Sequence, residues 1–122
     1  MTEQPCPFCE IVAGRASANV WIEWKDAMAI TPLDPVTPGH ILIIPKRHVA
    51  DFTEDPKVSA LAMQRAAELA AEISKPMNLI TSRGREATQS VFHLHLHLVP
   101  RAANDGLALP WYSGRSKTVG AT

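Results

Sequence analysis

From His93 to Leu98 the chain reads His-Leu-His-Leu-His-Leu. A strict two-residue period of this kind is what a β-strand with two unlike faces imposes on a sequence. The spacing predicts a strand over 90–99, with His93, His95 and His97 on one surface and Leu94, Leu96 and Leu98 on the other. Three imidazoles together pack poorly, because each has two ring nitrogens that need partners and a proton near neutral pH. The leucine face therefore marks a core, and the histidine face marks a place where chemistry is available. A histidine-rich edge strand and a simple metal tract remain alternatives at this level.

The surrounding sequence supplies partners for such a strand. Phe8 to Gly14 predicts a short helix, with Phe8, Ile11 and Val12 on one side and Gly14 as its left-handed cap. Val20 to Trp24 and Ala27 to Thr31 flank Lys25-Asp26 as a hairpin. A loop with prolines at 32, 35 and 38 leads through Gly39 to His40, and Ile41 to Ile44 then predicts a central strand covered on both faces. Asp55-Pro56 is an N-cap followed by proline at the first helical position. The long helix it opens has Val58, Leu61, Ala62, Leu69 and Ile73 as its inner stripe and Arg65, Glu68 and Glu72 facing out, and Pro76 ends it. Asn78 to Ser82 predicts a further strand, and Arg83 to Gln89 a polar loop. The expected fold is α+β: a five-stranded antiparallel sheet with one long helix and a short N-terminal helix.

At 122 residues the chain is expected to form one domain over 1–122, with an irregular tail from about 103 to 122 whose last residues are disordered. Twelve basic and twelve acidic residues cancel without a run of either sign, which argues against a broad nucleic-acid or membrane footprint but allows a small anionic ligand. The opening Met-Thr-Glu-Gln-Pro-Cys has no charged-then-apolar leader, and no stretch approaches membrane-spanning length, so a soluble cytoplasmic protein is expected.

Two chemistries are open to this pattern. A neutral imidazole whose second nitrogen is held by a hydrogen bond can attack phosphorus, and His95 sits between two histidines placed to contact the attached phosphate. No P-loop spacing accompanies them. Separately, Cys6 and Cys9 in Cys-Pro-Phe-Cys, with His48 and one histidine of the strand, make a Cys2His2 set able to close a tetrahedral zinc site. The alternative is a pair of buried, inert thiols.

The run His93-Leu94-His95-Leu96-His97-Leu98-Val99 resembles the signature of the histidine triad (HIT) superfamily of nucleotide hydrolases and transferases at all seven positions. The resemblance continues through Gln89 to Phe92, Pro38 to His48 and Phe8 to Gly14, covering roughly residues 5–100.

The resemblance implies a HIT-like fold and an enzyme that cleaves a nucleoside phosphoramidate or dinucleoside polyphosphate at the α-phosphorus. His95 matches the nucleophile that forms a nucleotidyl-histidine intermediate. His97 matches the residue that contacts the phosphate and orients the nucleophile through its backbone carbonyl, and His40 completes the phosphate pocket. Ser90 and Gln89 match groups that bind phosphate or leaving group, and Leu33 and Phe8 match the base and ribose wall. Cys6, Cys9, His48 and His93 match the zinc ligands of metal-bearing members, and a homodimer joined through the long helix and sheet edges is implied. Ser82 stands where relatives carry asparagine or glutamine. Val99-Pro100-Arg101 resembles the Fhit-like branch, whereas Trp111 resembles the C-terminal tryptophan of the Hint-like branch. A non-catalytic nucleotide- or partner-binding regulator is the alternative. A DNA-end processing role would need a basic extension or zinc finger that this sequence lacks.

Overall fold

The structure is a computed structural model that describes residues 5–115. The expected disorder of the final residues falls on 116–122, outside the described residues. A short helix α1 (Pro7–Val12) leads into β1 (Val20–Glu23), β2 (Ala27–Ile30) and β3 (Ile41–Pro45). The long helix α2 (Pro56–Ile73), β4 (Met77–Ile80) and β5 (Leu96–Pro100) follow. The five strands form one sheet in the order β1-β2-β3-β5-β4, with every neighbouring pair antiparallel. This is the α+β arrangement that the sequence predicts.

β3 lies at the centre and is buried along its whole length. Its period of two separates two layers. Ile41 and Ile43 join Ala29, Leu94, Leu96 and Leu98 beneath Val58, Ala62, Ala66 and Leu69 of α2. Leu42 and Ile44 turn the other way and pack with Met28, Ile30 and Phe8, on the face that α1 covers. His97 pairs with Leu42 in the register and so shares this second face. The sheet thus puts its leucines under α2 and leaves the opposite side to the histidines.

The ends of α2 follow from local chemistry. Asp55 accepts a hydrogen bond from the Lys57 amide at 3.0 Å and Pro56 opens the first turn. At the other end Ser74 takes a left-handed conformation (φ 55°), two residues ahead of Pro76. Arg65 differs from expectation. It is half-buried because its guanidinium reaches Asp26 of the β1–β2 turn at 3.0 Å and lies over the Trp24 ring, tying the helix to the hairpin.

Two strand boundaries also differ. The histidine strand begins at Leu96 rather than 90, and residues 91–93 bend instead, so His93 and His95 precede the ladder. The last β4–β5 pair is Ile80 with His97, and β4 accordingly spans Met77–Ile80 instead of reaching Ser82. Beyond that pair the Thr81 hydroxyl, rather than a backbone amide, meets the His95 carbonyl at 2.8 Å. After β5 the chain turns back through an isolated bridge between Leu109 and Tyr112. No helix among the described residues is long and apolar enough to cross a membrane.

Candidate functional site

Gly39, at φ +86° with Pro100 close behind it, lets the proline-rich loop turn into β3 and deliver His40 to the sheet face. From there a chain of hydrogen bonds assigns the ring protons. The Val36 amide donates to His40 Nδ1 at 3.1 Å, so that nitrogen is an acceptor and Nε2 carries the hydrogen. His40 Nε2 therefore donates to His97 Nδ1 at 2.9 Å, which leaves the His97 hydrogen on its own Nε2. His95 Nδ1 lies 2.8 Å from the carbonyl oxygen of His93 and can only donate to it, so His95 Nε2 keeps a bare lone pair. One acceptor-poised and one donor-poised ring stand side by side, with centroids 5.1 Å apart.

Burial reinforces this assignment by favouring uncharged rings. It pushes His40 and His95 below the ordinary imidazole range, although the bond to the His93 carbonyl opposes the shift at His95. His97, desolvated and facing His95 and His40, is pushed down to about 4.

Two cavities share His95 and His97 in their walls. The wider, of about 810 Å³, runs along α1 and the β2–β3 connection, with Phe8, Ile11, Ala18, Leu33 and Ser90 among its lining. Phe8 is a firm part of this wall: it is buried, and its ring stands edge-on to His95 at 5.1 Å. Leu33 is fully exposed at the rim. The narrower cavity, of about 340 Å³, lies between the loop 82–89 and the segment after β5, and includes His40, Ser82 and Arg101.

Two residues differ from their expected roles. The carbonyl that orients His95 belongs to His93, not His97, because the bend at 91–93 brings it under the ring while the His97 carbonyl lies within the β5 ladder. Gln89 lines the narrow cavity, but its amide is committed to backbone: Nε2 donates to Ala50 and Val91 carbonyls at 2.7 and 3.1 Å, and Oε1 accepts from Gly84 at 2.9 Å. It holds the loop rather than offering both amide hydrogens to a ligand. Trp111, 75% exposed, lines neither cavity.

Behind the site, Cys6, Cys9, His48 and His93 offer donor atoms that all lie within 4.8 Å of one another. Cys6 Sγ to His93 Nδ1 is 3.4 Å, Cys9 Sγ to His48 Nδ1 is 3.2 Å and the two Nδ1 atoms are 3.1 Å apart. A tetrahedron built on zinc distances has edges of roughly 3.3–3.8 Å, close to these values. His93 Nε2 donates to the Pro45 carbonyl at 2.8 Å, which fixes the hydrogen away from Nδ1 and turns a lone pair toward the cluster. Desolvation and then Cys6 push the Cys9 thiol up to about 11, a penalty on the thiolate that a bound cation would offset. The donor set fits a divalent metal.

Sequence reasoning missed Thr81 and the second role of His93, whose carbonyl orients His95 while its ring joins the cysteines. Neither has a local signal, since both depend on the bend before β5.

The chain is similar to known proteins in sequence and in fold. A family model described as HIT domain matches residues 13–104. An uncharacterized HIT-like protein of Mycobacterium tuberculosis is 38% identical over 111 residues, covering 86% of this chain and 77% of its own length. An adenosine 5'-monophosphoramidase of Saccharomyces cerevisiae is 33% identical, covering 87% of this chain and 69% of its own. A crystal structure from Streptococcus mutans superimposes with a TM-score of 0.81 at 33% identity, over 90% of this chain and 74% of that one.

Proposed function

The chain belongs to the HIT family, and from that premise we propose that it is a nucleotide hydrolase acting through His95. Its substrate is a nucleoside phosphoramidate or a dinucleoside polyphosphate, cleaved at the α-phosphorus. The observation that carries this reading is the tautomer of His95: Nδ1–H is engaged by the His93 carbonyl, and Nε2 is bare where the two cavities meet.

Burial keeps that ring neutral, so the lone pair is available near pH 7. The Nε2 pair attacks phosphorus, forming an N–P bond while the bond to the leaving group breaks. The leaving group takes the electron pair of that bond and a proton from water. His97 Nε2–H donates to a phosphate oxygen in a site whose donors are already aimed, which favours the transition state over the ground state. A second water then attacks phosphorus, the N–P pair returns to His95, and the proton that this water releases balances the one taken up earlier. The products are a nucleoside monophosphate and the free leaving group.

The wider cavity, with the Phe8 ring against His95, suits the nucleoside. Ser90 at its edge suits the phosphate. The name of the yeast relative, an adenosine 5'-monophosphoramidase, supports the same class of reaction. Zinc is the proposed ion of the Cys6, Cys9, His48 and His93 cluster, where four protein donors would make it structural, pinning the N-terminal segment to the histidine bend. A cytoplasmic homodimer is part of the proposal. The exposed alanines 60, 67 and 71 of α2 and the exposed Leu79 of the edge strand β4, which pairs with Leu98 on the α2 face, suit a second copy.

The test is to mix the protein with an adenylyl phosphoramidate and with diadenosine polyphosphates, quench within the turnover time, and search by mass spectrometry for an acid-labile adenylyl adduct. The expected adduct is on His95. Hydrolysis without any adduct, or an adduct on another residue, would overturn the covalent route. Nucleotide binding without hydrolysis would favour the regulator reading.

A further inference from the structure

In-line displacement sends the departing group away from the nucleophile. If the wider cavity holds the nucleoside, the narrower one receives what leaves. Its walls are chiefly Val36, Ile80, Val99, Leu107 and Leu109, with hydroxyls from Ser82 and Thr88.

Apart from the histidines, Arg101 is the cationic side chain among the residues that line this cavity, and it is already engaged. Nε and Nη2 donate to the two carboxylate oxygens of Asp105 at 2.8 and 3.0 Å, Nη1 donates to Asn78 Oδ1 at 2.6 Å, and Nη2 also donates to the Leu107 carbonyl. Both members of the ion pair are largely enclosed, at 14% and 13% side-chain exposure. The same carboxylate caps the Ala102 and Leu107 amides at 3.1 and 3.0 Å, so the pair is built into the segment that forms the cavity wall. The arginine that follows β5 therefore presents a neutralised group to this space. A polyphosphate leaving group carries several negative charges, and a half-enclosed pocket whose lining cation, the histidines apart, is already paired penalises it, whereas an amine loses nothing there.

We propose that Asp105 is a specificity residue: by holding Arg101 as a closed ion pair beside the narrow cavity, it reserves that subsite for an uncharged, largely apolar leaving group. The inference rests on the hydrolase reading above and narrows its substrate to the phosphoramidate class.

The experiment compares kcat/KM for an AMP anilide and for diadenosine triphosphate in the wild-type protein, in Asp105→Asn and in Ile80→Lys. The first variant removes the countercharge of Arg101, while Asn78 and the Leu107 carbonyl still hold its guanidinium. The second adds a cation at an exposed position of the same wall, and its fold is independent of the latch. The wild-type protein is expected to prefer the anilide by at least about tenfold. Each variant that retains a cooperative melt is expected to reduce that ratio at least about threefold by raising the rate on the triphosphate. A wild-type ratio at or below one overturns the proposal, as does an unchanged ratio in the folded variants. If Asp105→Asn fails to fold, Ile80→Lys decides. Absence of an adenylyl-His95 adduct with either substrate would remove the hydrolase reading itself, whereas a fast adduct with both would remove this inference alone.

Discussion

The carbonyl oxygen of His93 accepts the Nδ1–H of His95 at 2.8 Å, so the residue whose ring completes the cysteine cluster also sets the tautomer of its neighbour. His95→Ala is expected to lower single-turnover adenylyl transfer by at least about 10³-fold, because the site loses its nucleophile. Nucleotide affinity should stay within about threefold, since Phe8, Ile11 and Ser90 still line the wider cavity. Rapid-quench kinetics and calorimetric titration with AMP check the two halves. Near-normal turnover in this variant would falsify the proposed mechanism.

His40 acts one ring away. It accepts from Val36 and donates to His97, so it fixes the hydrogen of His97 on Nε2. His40→Ala should leave His97 free to sample both tautomers and lower kcat by about ten- to a hundredfold, with a smaller change in KM. Nitrogen-15 NMR of the histidine rings reads the tautomer directly. An unchanged His97 spectrum would contradict the assignment.

Acid should destabilise the fold in a window set by these rings. A histidine whose folded value lies below its unfolded one contributes full stability above the unfolded value and loses it as pH falls toward the folded value. For His97 that window runs from about 6.5 down to about 4, and burial shifts His40 and His95 in the same direction. The carboxylates with resolved shifts also move downward, Asp26, Asp51 and Asp105 from 3.8 and Glu10 and Glu68 from 4.5, so their loss comes at or below the lower edge of the histidine window. Urea melts between pH 7 and 4 should show a falling midpoint. His97→Gln should reduce the slope by up to about 1.4 kcal/mol per pH unit. A midpoint flat across that range would contradict buried neutral imidazoles.

Much of this site follows from period and punctuation. Alternation placed Leu94, Leu96 and Leu98 under the helix, and the unbroken run Ile41 to Ile44 proved central because both faces of β3 are covered. Asp55-Pro56 and Gly14 acted locally, as capping chemistry does. What sequence could not supply depends on where the ladder stops. Alternation carries no mark for the bend at 91–93, which starts the ladder at Leu96 and puts the His93 carbonyl under the His95 ring, where the resemblance implies the His97 carbonyl. Gln89 has the chemistry of a ligand contact, and only the fold reveals three backbone groups already holding its amide. Asp105 carries no local signal in the sequence, and only the turn after β5 brings it to Arg101.

Thr81 offers a milder test of positioning. Its hydroxyl donates to the His95 carbonyl at 2.8 Å, one residue past the last β4–β5 pair, and so steadies the main chain that carries the nucleophile. Thr81→Val keeps the shape and removes the donor, at a cost of about 1 kcal/mol in stability. The expected functional signature is a drop in kcat of about three- to tenfold with KM unchanged, since the nucleoside cavity is untouched. Thr81→Ser should restore it. A variant that loses stability but keeps kcat would reduce Thr81 to a structural contact.

Metal content closes the argument about His93. Its Nε2–H is held by Pro45, its Nδ1 faces Cys6, Cys9 and His48, and its carbonyl holds His95, so a metal bound by the cluster constrains the orienting bond through one residue. Reduced, untagged protein is expected to contain about one zinc per chain by elemental analysis, and Cys9→Ser to contain much less. Removing the ion with a chelator should lower the melting temperature by at least about 5 °C, because a group that binds the folded state alone adds its binding free energy to folding. It should also broaden or shift the His95 ring resonances, although His95 itself binds no ion in this scheme. Metal-free protein with an unchanged melt and an unchanged His95 spectrum would separate the cluster from the histidine face, and Cys6 and Cys9 would then be ordinary thiols beside α1.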